Sequence, residues 1–310
     1  MTTTRRFLQR ALPVVVTAGS LGWVATRFDM GAVAAALTPR VFWILLPALA
    51  LYGVMTLLLE SASILGLLDR RPESFGAWTA ARIKSASYLL AIVNYALGGA
   101  ALTLLLARRA ELGMGRAAGV VILIAFTDLA VVLSLGALGL LGQSNALALH
   151  GGLVALGALT GLGGFALLRF PGSLGPLERL RSLTIFDALR HASLHQLLRL
   201  AALRFIFSLC FIGVAAAAFA AFEVSVAPGL LVGGVMALAL IGAIPIAVSG
   251  LGPGQVAAIA IFRDTAPPET LLAVSLILSA GLIALRAAMG LLFAREFTRE
   301  ALEKTLEKPA

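Results

Sequence analysis

Charge is what this sequence lacks most: only 13% of its 310 residues are Asp, Glu, Lys or Arg, about half the share in a soluble domain. A water-soluble fold is thereby excluded, because 60% hydrophobic residues supply more apolar surface than one could bury. Cysteine occurs once, as Cys210 within an apolar run, so no disulfide framework forms within the chain. Histidine is nearly absent; His191 and His195 stand four apart on one expected helix with no clear third ligand, and no metal site is expected. The sequence has no nucleophile elbow, phosphate loop, CxxC pair or HExxH. No catalytic constellation follows from it, so neither an enzyme nor a cofactor is expected.

What is present is length of apolar run. Mean hydropathy is +1.00, and eight runs recur near 11–27, 41–68, 86–107, 117–141, 148–168, 200–222, 229–262 and 271–294, matching helices that cross a hydrocarbon core of about 30 Å. Arg5, Arg6 and Arg10 precede the first run, but no clean small-residue cleavage site follows, and that run reads as a retained helix rather than a signal peptide. The expectation is an all-α polytopic membrane protein, 1–310 forming one integral membrane domain. Within it, 169–199 is a cytoplasmic amphipathic connector and 295–310 a short cytoplasmic tail.

Lys and Arg accumulate in short cytoplasmic loops, which tests each topology. Eight simple crossings with the N-terminus inside would put the basic clusters at 108–116 and 169–199 outside. If the third run instead enters from the cytoplasm and returns there, both clusters stay inside and the uncharged loop 143–152 faces out. Only Arg27, Arg40 and Arg263 then remain external. A cytoplasmic tail with Arg295, Arg299, Lys304 and Lys308 next requires the seventh run to enter and return on the outer face. The reading is six full spans plus two re-entrant helical hairpins, both termini being cytoplasmic. The net charge of +9 is explained by this topology, and no nucleic-acid partner is invoked.

Both proposed hairpins carry helix-breaking residues: Asn94 and Gly98-Gly99 in the first, and Pro245, Ser249-Gly250 and Gly252-Pro253-Gly254 in the second. Backbone groups freed by such breaks survive at membrane depth only inside protein or beside a wet cavity. An alternative for Gly98 and Gly99 is close helix packing. The two hairpins and their flanking spans have opposite orientations, the inverted-repeat logic of transporters that bind substrate near the midplane. Ionisable residues inside spans are expensive and mark cavities or partners: here Glu60, Asp128 and Arg286. A carboxylate beside Arg286 would neutralise it and help hold a lipid phosphate, the alternative being a structural ion pair. The stretch Leu177 to Leu203 reads as an interfacial amphipathic helix running into the sixth run, or else as a solvated connector.

Two regions, Asn94 through Asp128 and Ile244 through Phe262 with Arg286 beyond, resemble the transmembrane domain of the lysylphosphatidylglycerol synthase family, including stand-alone flippase-like members. The family tends to show an Asn, a Pro-Gly break, an Arg and a later Asp. Asn94, Gly98, Arg109 and Asp128 match, whereas Ala96 and Leu97 stand where a proline is expected. IPIAVSGLGPGQ, with Pro245, Ser249, Gly250, Gly252 and Gln255, is similar to a second family signature that usually ends in an acid. Arg286 falls where the family has an Arg in its last helix. The resemblance implies a flippase-like module that handles a polar-headed lipid of phospho-, glyco- or hopanoid type in a bacterial cytoplasmic membrane. Asn94, Asp128 and Arg286 would contact the head group. The fused aminoacyltransferase domain has no room before Ala310, so lysyl transfer is not expected. The alternative function is a non-catalytic accessory subunit bound to an enzyme of lipid or lipid-linked glycan synthesis.

Overall fold

Helix is the only regular secondary structure among the described residues of the computed structural model, which are 22, 26, 29–68, 72–140, 186–243 and 251–295. In chain order they form α1 Met30–Ala35, α2 Pro39–Gly66, α3 Ala77–Val93, α4 Tyr95–Arg109, α5 Met114–Leu140, α6 Asp187–His191, α7 Leu194–Ala221, α8 Pro228–Ala243, α9 Pro253–Phe262 and α10 Pro268–Leu292. Apart from residues 22 and 26, the first apolar run lies outside the described residues, as do the whole fifth run, the first part of the connector and the tail beyond Arg295.

Proline opens α2, α8, α9 and α10, at the helix position where its missing N–H is never needed and its fixed φ suits the first turn. Elsewhere side chains do the starting. Asp29 accepts from the backbone N–H of Gly31 at 2.8 Å and of Ala32 at 3.2 Å to cap α1. Ser193 and Gln196 cap α7 reciprocally: the Ser193 N–H donates to Gln196 Oε1 at 2.8 Å, and the Gln196 N–H to Ser193 Oγ at 3.2 Å.

Four helices are long and apolar enough to cross a membrane: α2, α5, α7 and α10, with 28, 27, 28 and 25 residues. At 1.5 Å per residue each exceeds about 37 Å, more than the hydrocarbon core requires. The chain is an integral membrane protein. By contrast α3 and α4, with 17 and 15 residues, and α8 and α9, with 16 and 10, occupy the third and seventh apolar runs as pairs of shorter helices.

The cap at Ser193 corrects one expectation. The connector does not run as a single helix into the sixth run; α6 ends at His191, Ala192 turns extended at ψ 128°, and α7 begins at Leu194. His191 and His195 therefore belong to different helices, and among the described residues no group of His, Cys, Asp and Glu has the makings of a metal site.

The helices group into two compact units, one drawn from 1–53, 129–159 and 208–283, the other from 54–128, 160–207 and 284–310. In the second, Ile64, Ile83, Leu105, Leu106, Leu123 and Leu200 form the centre of a continuous apolar core, and Trp78 meets Phe293 edge-on at 5.4 Å. In the first, Val33 packs with Leu272 and Ala273, and the rings of Phe219 and Phe262 lie 4.8 Å apart. Glycine permits the closest helix contacts in this unit: a Cβ at Gly139 would strike the backbone of Gly229 and Gly233.

Candidate functional site

On α2, Thr56, Glu60 and Ser63 recur at intervals of four and three residues, which places them on one face of a mostly apolar helix. All three are buried, Glu60 being 5% exposed. Two cations converge on it. Lys84 Nζ of α3 lies 3.3 Å from Glu60 Oε1, and Arg204 Nη1 of α7 lies 3.2 Å from the same oxygen. Arg204, only 1% exposed, also donates from Nη2 to Ser63 Oγ at 2.7 Å and to the Leu59 carbonyl at 3.3 Å. Each cation rests over an aromatic ring of its own helix, Lys84 over Tyr88 at 5.4 Å and Arg204 over Phe207 at 5.0 Å, which offsets part of its desolvation.

Bonding in this cluster is incomplete. Glu60 Oε2 and Arg204 Nε are buried without a hydrogen-bond partner among the described residues, a costly condition, and so are Thr56 Oγ1, one turn earlier on α2, and Ser85 Oγ on α3. Asp128 Oδ1 on α5 is buried in the same way. Asp128 lies within electrostatic reach of Arg204, Glu60 and Lys84, and Tyr95 within reach of Asp128, Glu60, Arg286 and Arg204.

The sequence expectation of a carboxylate beside Arg286 is therefore corrected: among the described residues the partners of Glu60 are Lys84 and Arg204. Neither Asp128 nor Arg286 forms an ion pair with any of them. Sequence reasoning singled out neither Arg204 nor Lys84 as a site residue. The available signal was a lone arginine between the apolar stretches 200–203 and 205–207, which on a spanning helix has nowhere dry to go without a partner.

The third apolar run breaks at Asn94, which ends α3 and caps α4. Its backbone is extended, at φ −159° and ψ 133°, and its side-chain oxygen accepts from the Ala96 N–H at 2.8 Å. The chain folds back there, because a Cβ at Gly98 would lie 2.5 Å from the Cβ of Ala91. Gly98 thus serves close packing of the two arms, and the break belongs to Asn94. At Gly99 the nearest atom to an added Cβ is a Val121 methyl at 3.9 Å, an ordinary contact. Arg109 stands in the last turn of α4, where a cation favours the helix dipole.

In the first unit α8 and α9 also fold against each other: a Cβ at Gly234 would meet the Phe262 ring at 2.5 Å. Pro245, Ser249 and Gly250 lie outside the described residues. Gly252 is described, with φ 90°, a backbone state that favours glycine. Gln255, 1% exposed, accepts from the Gly252 N–H at 2.6 Å and donates from Nε2 to Ser279 Oγ on α10 at 3.2 Å. Both ends of its carboxamide are committed to the turn and the neighbouring helix.

Residues 10–290 match the family model for the lysylphosphatidylglycerol synthase TM region. No curated protein and no solved structure matches the chain.

Proposed function

Because the chain belongs to the lysylphosphatidylglycerol synthase TM-region family, whose membrane domains are associated with lipid, we propose that it moves a polar-headed lipid between leaflets. The observation that carries this reading is the Lys84–Glu60–Arg204 cluster, three ionisable groups on helices of an integral membrane protein. Buried charge of this kind is expensive in a membrane and is retained where a polar substrate or ion must pass or bind. The unpartnered atoms of Thr56, Glu60, Ser85, Arg204 and Asp128 give a head group donors and acceptors to occupy.

The two folded-back helix pairs support the reading. With 10 residues, α9 is about 15 Å long and too short to cross, so both pairs are proposed as re-entrant hairpins whose turns bring polar backbone to membrane depth. Asn94 and the turn at Gly252 are the positions where this occurs, and Arg286 and Asp128 extend the charged surroundings of Tyr95. Phospho-, glyco- and hopanoid-type lipids are the candidates, in a bacterial cytoplasmic membrane with both termini inside. No bond-making step is proposed.

Purified protein reconstituted into vesicles should accelerate loss of fluorescence from headgroup-labelled phospholipids on addition of an external quencher, relative to empty vesicles. No acceleration for any phospholipid, glycolipid or hopanoid probe would sink the reading. Copurification of a stable lipid-pathway enzyme, with Arg286→Ala harmless to that pathway, would instead establish the accessory role.

A further inference from the structure

We infer that Asp128 is the site of one exchangeable proton, and that taking up and releasing this proton midway along α5 couples lipid movement to a pH difference across the membrane. The inference rests on the transport reading and deepens it by naming the driving ion.

The long helices offer few groups that could carry a proton. Away from their first turns, α2, α5, α7 and α10 hold two carboxylates among the described residues, Glu60 and Asp128, and no histidine. Asp128 stands fourteen residues after Met114 and twelve before Leu140, the two ends of α5, about 20 Å from either. A carboxyl group at that depth is retained for a partner or for a function, proton relay among them.

Glu60 has its partners. Lys84 and Arg204 both contact its Oε1, at 3.3 and 3.2 Å, so its charge is met by two cations at once. Asp128 has no such contact: it forms no ion pair with either cation, and its Oδ1 is buried without a hydrogen-bond partner among the described residues. The same two cations act on it only at longer range, as does the Glu60 carboxylate. With Asp128 ionised, the four groups balance, two positive and two negative. With Asp128 protonated they carry one net positive charge. Two influences therefore oppose each other: overall charge balance favours the carboxylate, and the missing contact at a buried oxygen favours the neutral acid, which costs less to bury. Neither form is locked in place, and a carboxyl group so poised exchanges its proton.

The groups that face Asp128 are Glu60 on α2, Lys84 on α3, Tyr95 on α4 and Arg204 on α7. Tyr88 of α3 acts in turn on Arg204, and Arg286 of α10 on Tyr95. The step itself moves one proton and no electrons. A hydronium ion on the more acidic side gives its proton to a carboxylate oxygen of Asp128, forming an O–H bond, and that bond later breaks to a water molecule on the other side.

The test has two readouts on the full chain. Infrared difference spectra in neutral detergent between about pH 5 and 9 should show a carboxylic-acid carbonyl band that fades as pH rises and is missing in Asp128→Asn. For the second, vesicles of phosphatidylethanolamine and phosphatidylglycerol carry a trace of headgroup-labelled phosphatidylethanolamine and a pH difference of about one unit. Valinomycin and equal potassium hold the membrane potential at zero. With one proton per lipid, the wild type should drive the label toward a ratio of about ten between the leaflets, because one pH unit is a tenfold difference in proton activity. An uncoupler should return the leaflets to equality. Asp128→Asn should leave them equal, and Asp128→Glu should keep the shift.

Equal leaflets while the wild type moves the label overturn the inference, as does a carbonyl band that is absent from the wild type or unchanged in Asp128→Asn. If Asp128→Asn does not fold, the wild-type ratio decides alone. The transport reading fails separately. A titrating band without translocation of any phospholipid, glycolipid or hopanoid probe removes the transport role and keeps the proton site, whereas translocation indifferent to the pH difference removes this inference alone.

Discussion

At the scale of single residues, Glu60 and Gln255 show how two buried polar side chains do different work. Among the described residues Glu60 is the carboxylate that Lys84 and Arg204 contact, so Glu60→Ala strands the buried Arg204 and the partly buried Lys84 and should cost about 3–5 kcal/mol of stability. Thermal unfolding of the detergent-solubilised variants checks this, and Glu60→Asp should lose far less. Gln255 has both ends of its amide engaged, by Gly252 and Ser279. Gln255→Leu should cost about 1–3 kcal/mol by leaving the Gly252 N–H buried and unmet. Gln255→Glu should cost less, because a carboxylate still accepts from Gly252 and from the Ser279 hydroxyl. The acid usual at this position in the resembling family is chemically compatible with the same turn, which makes Gln255 a mild departure for the cap. Equal losses in Leu and Glu variants would show that the amide's hydrogen bonds are not what holds the turn.

Among elements, the α3–α4 pair is the most informative. Its sequence carries three helix-weakening residues, Asn94, Gly98 and Gly99, within six positions, and only tertiary contact separates their roles. Asn94 is extended and caps α4; Asn94→Ala should cost about 0.5–2 kcal/mol through the lost cap. Gly98 is helical, and its constraint is Ala91 on the opposite arm. Gly98→Ala should cost about 1–3 kcal/mol through overpacking. Adding Ala91→Gly should restore part of that, because the Ala91 Cα, at 2.9 Å from the added Cβ, remains in the way. Additive losses in the double variant would mean that the arms do not meet there. The second pair follows the same logic through Gly234 and Phe262, with the positive φ of Gly252 at the start of α9.

For the whole molecule, the question is which loops face the cytoplasm. In a Cys210-free background, single cysteines at Ser144 and Arg263 should react with an impermeant thiol reagent in intact cells, while those at Arg109 and Ser182 should react only after permeabilisation. External labelling at Arg109 or Ser182 would restore eight simple crossings and remove the re-entrant reading of α3–α4. Arg263 is well exposed beside Asp264, so a cysteine there is reachable without disturbing packing.

Composition and run length by themselves determined that this protein is helical and membrane-embedded, because apolar surface on this scale has no other stable solvent. They also located the four long apolar helices among the described residues and the two places where paired short helices replace one long one, since Asn, Gly and Pro disturb a helix through local backbone chemistry alone. The family, too, was legible in short motifs around Asn94 and Gly252. Tertiary structure alone decided which cation meets which carboxylate. Lys84 and Arg204 lie 24 and 144 positions beyond Glu60 in the chain, the differences of their residue numbers, and no local rule says which helix faces will meet. The roles of Gly98 and Gln255 were hidden for the same reason: a glycine that breaks a helix and one that lets two helices touch are identical in sequence, and differ only in what stands opposite.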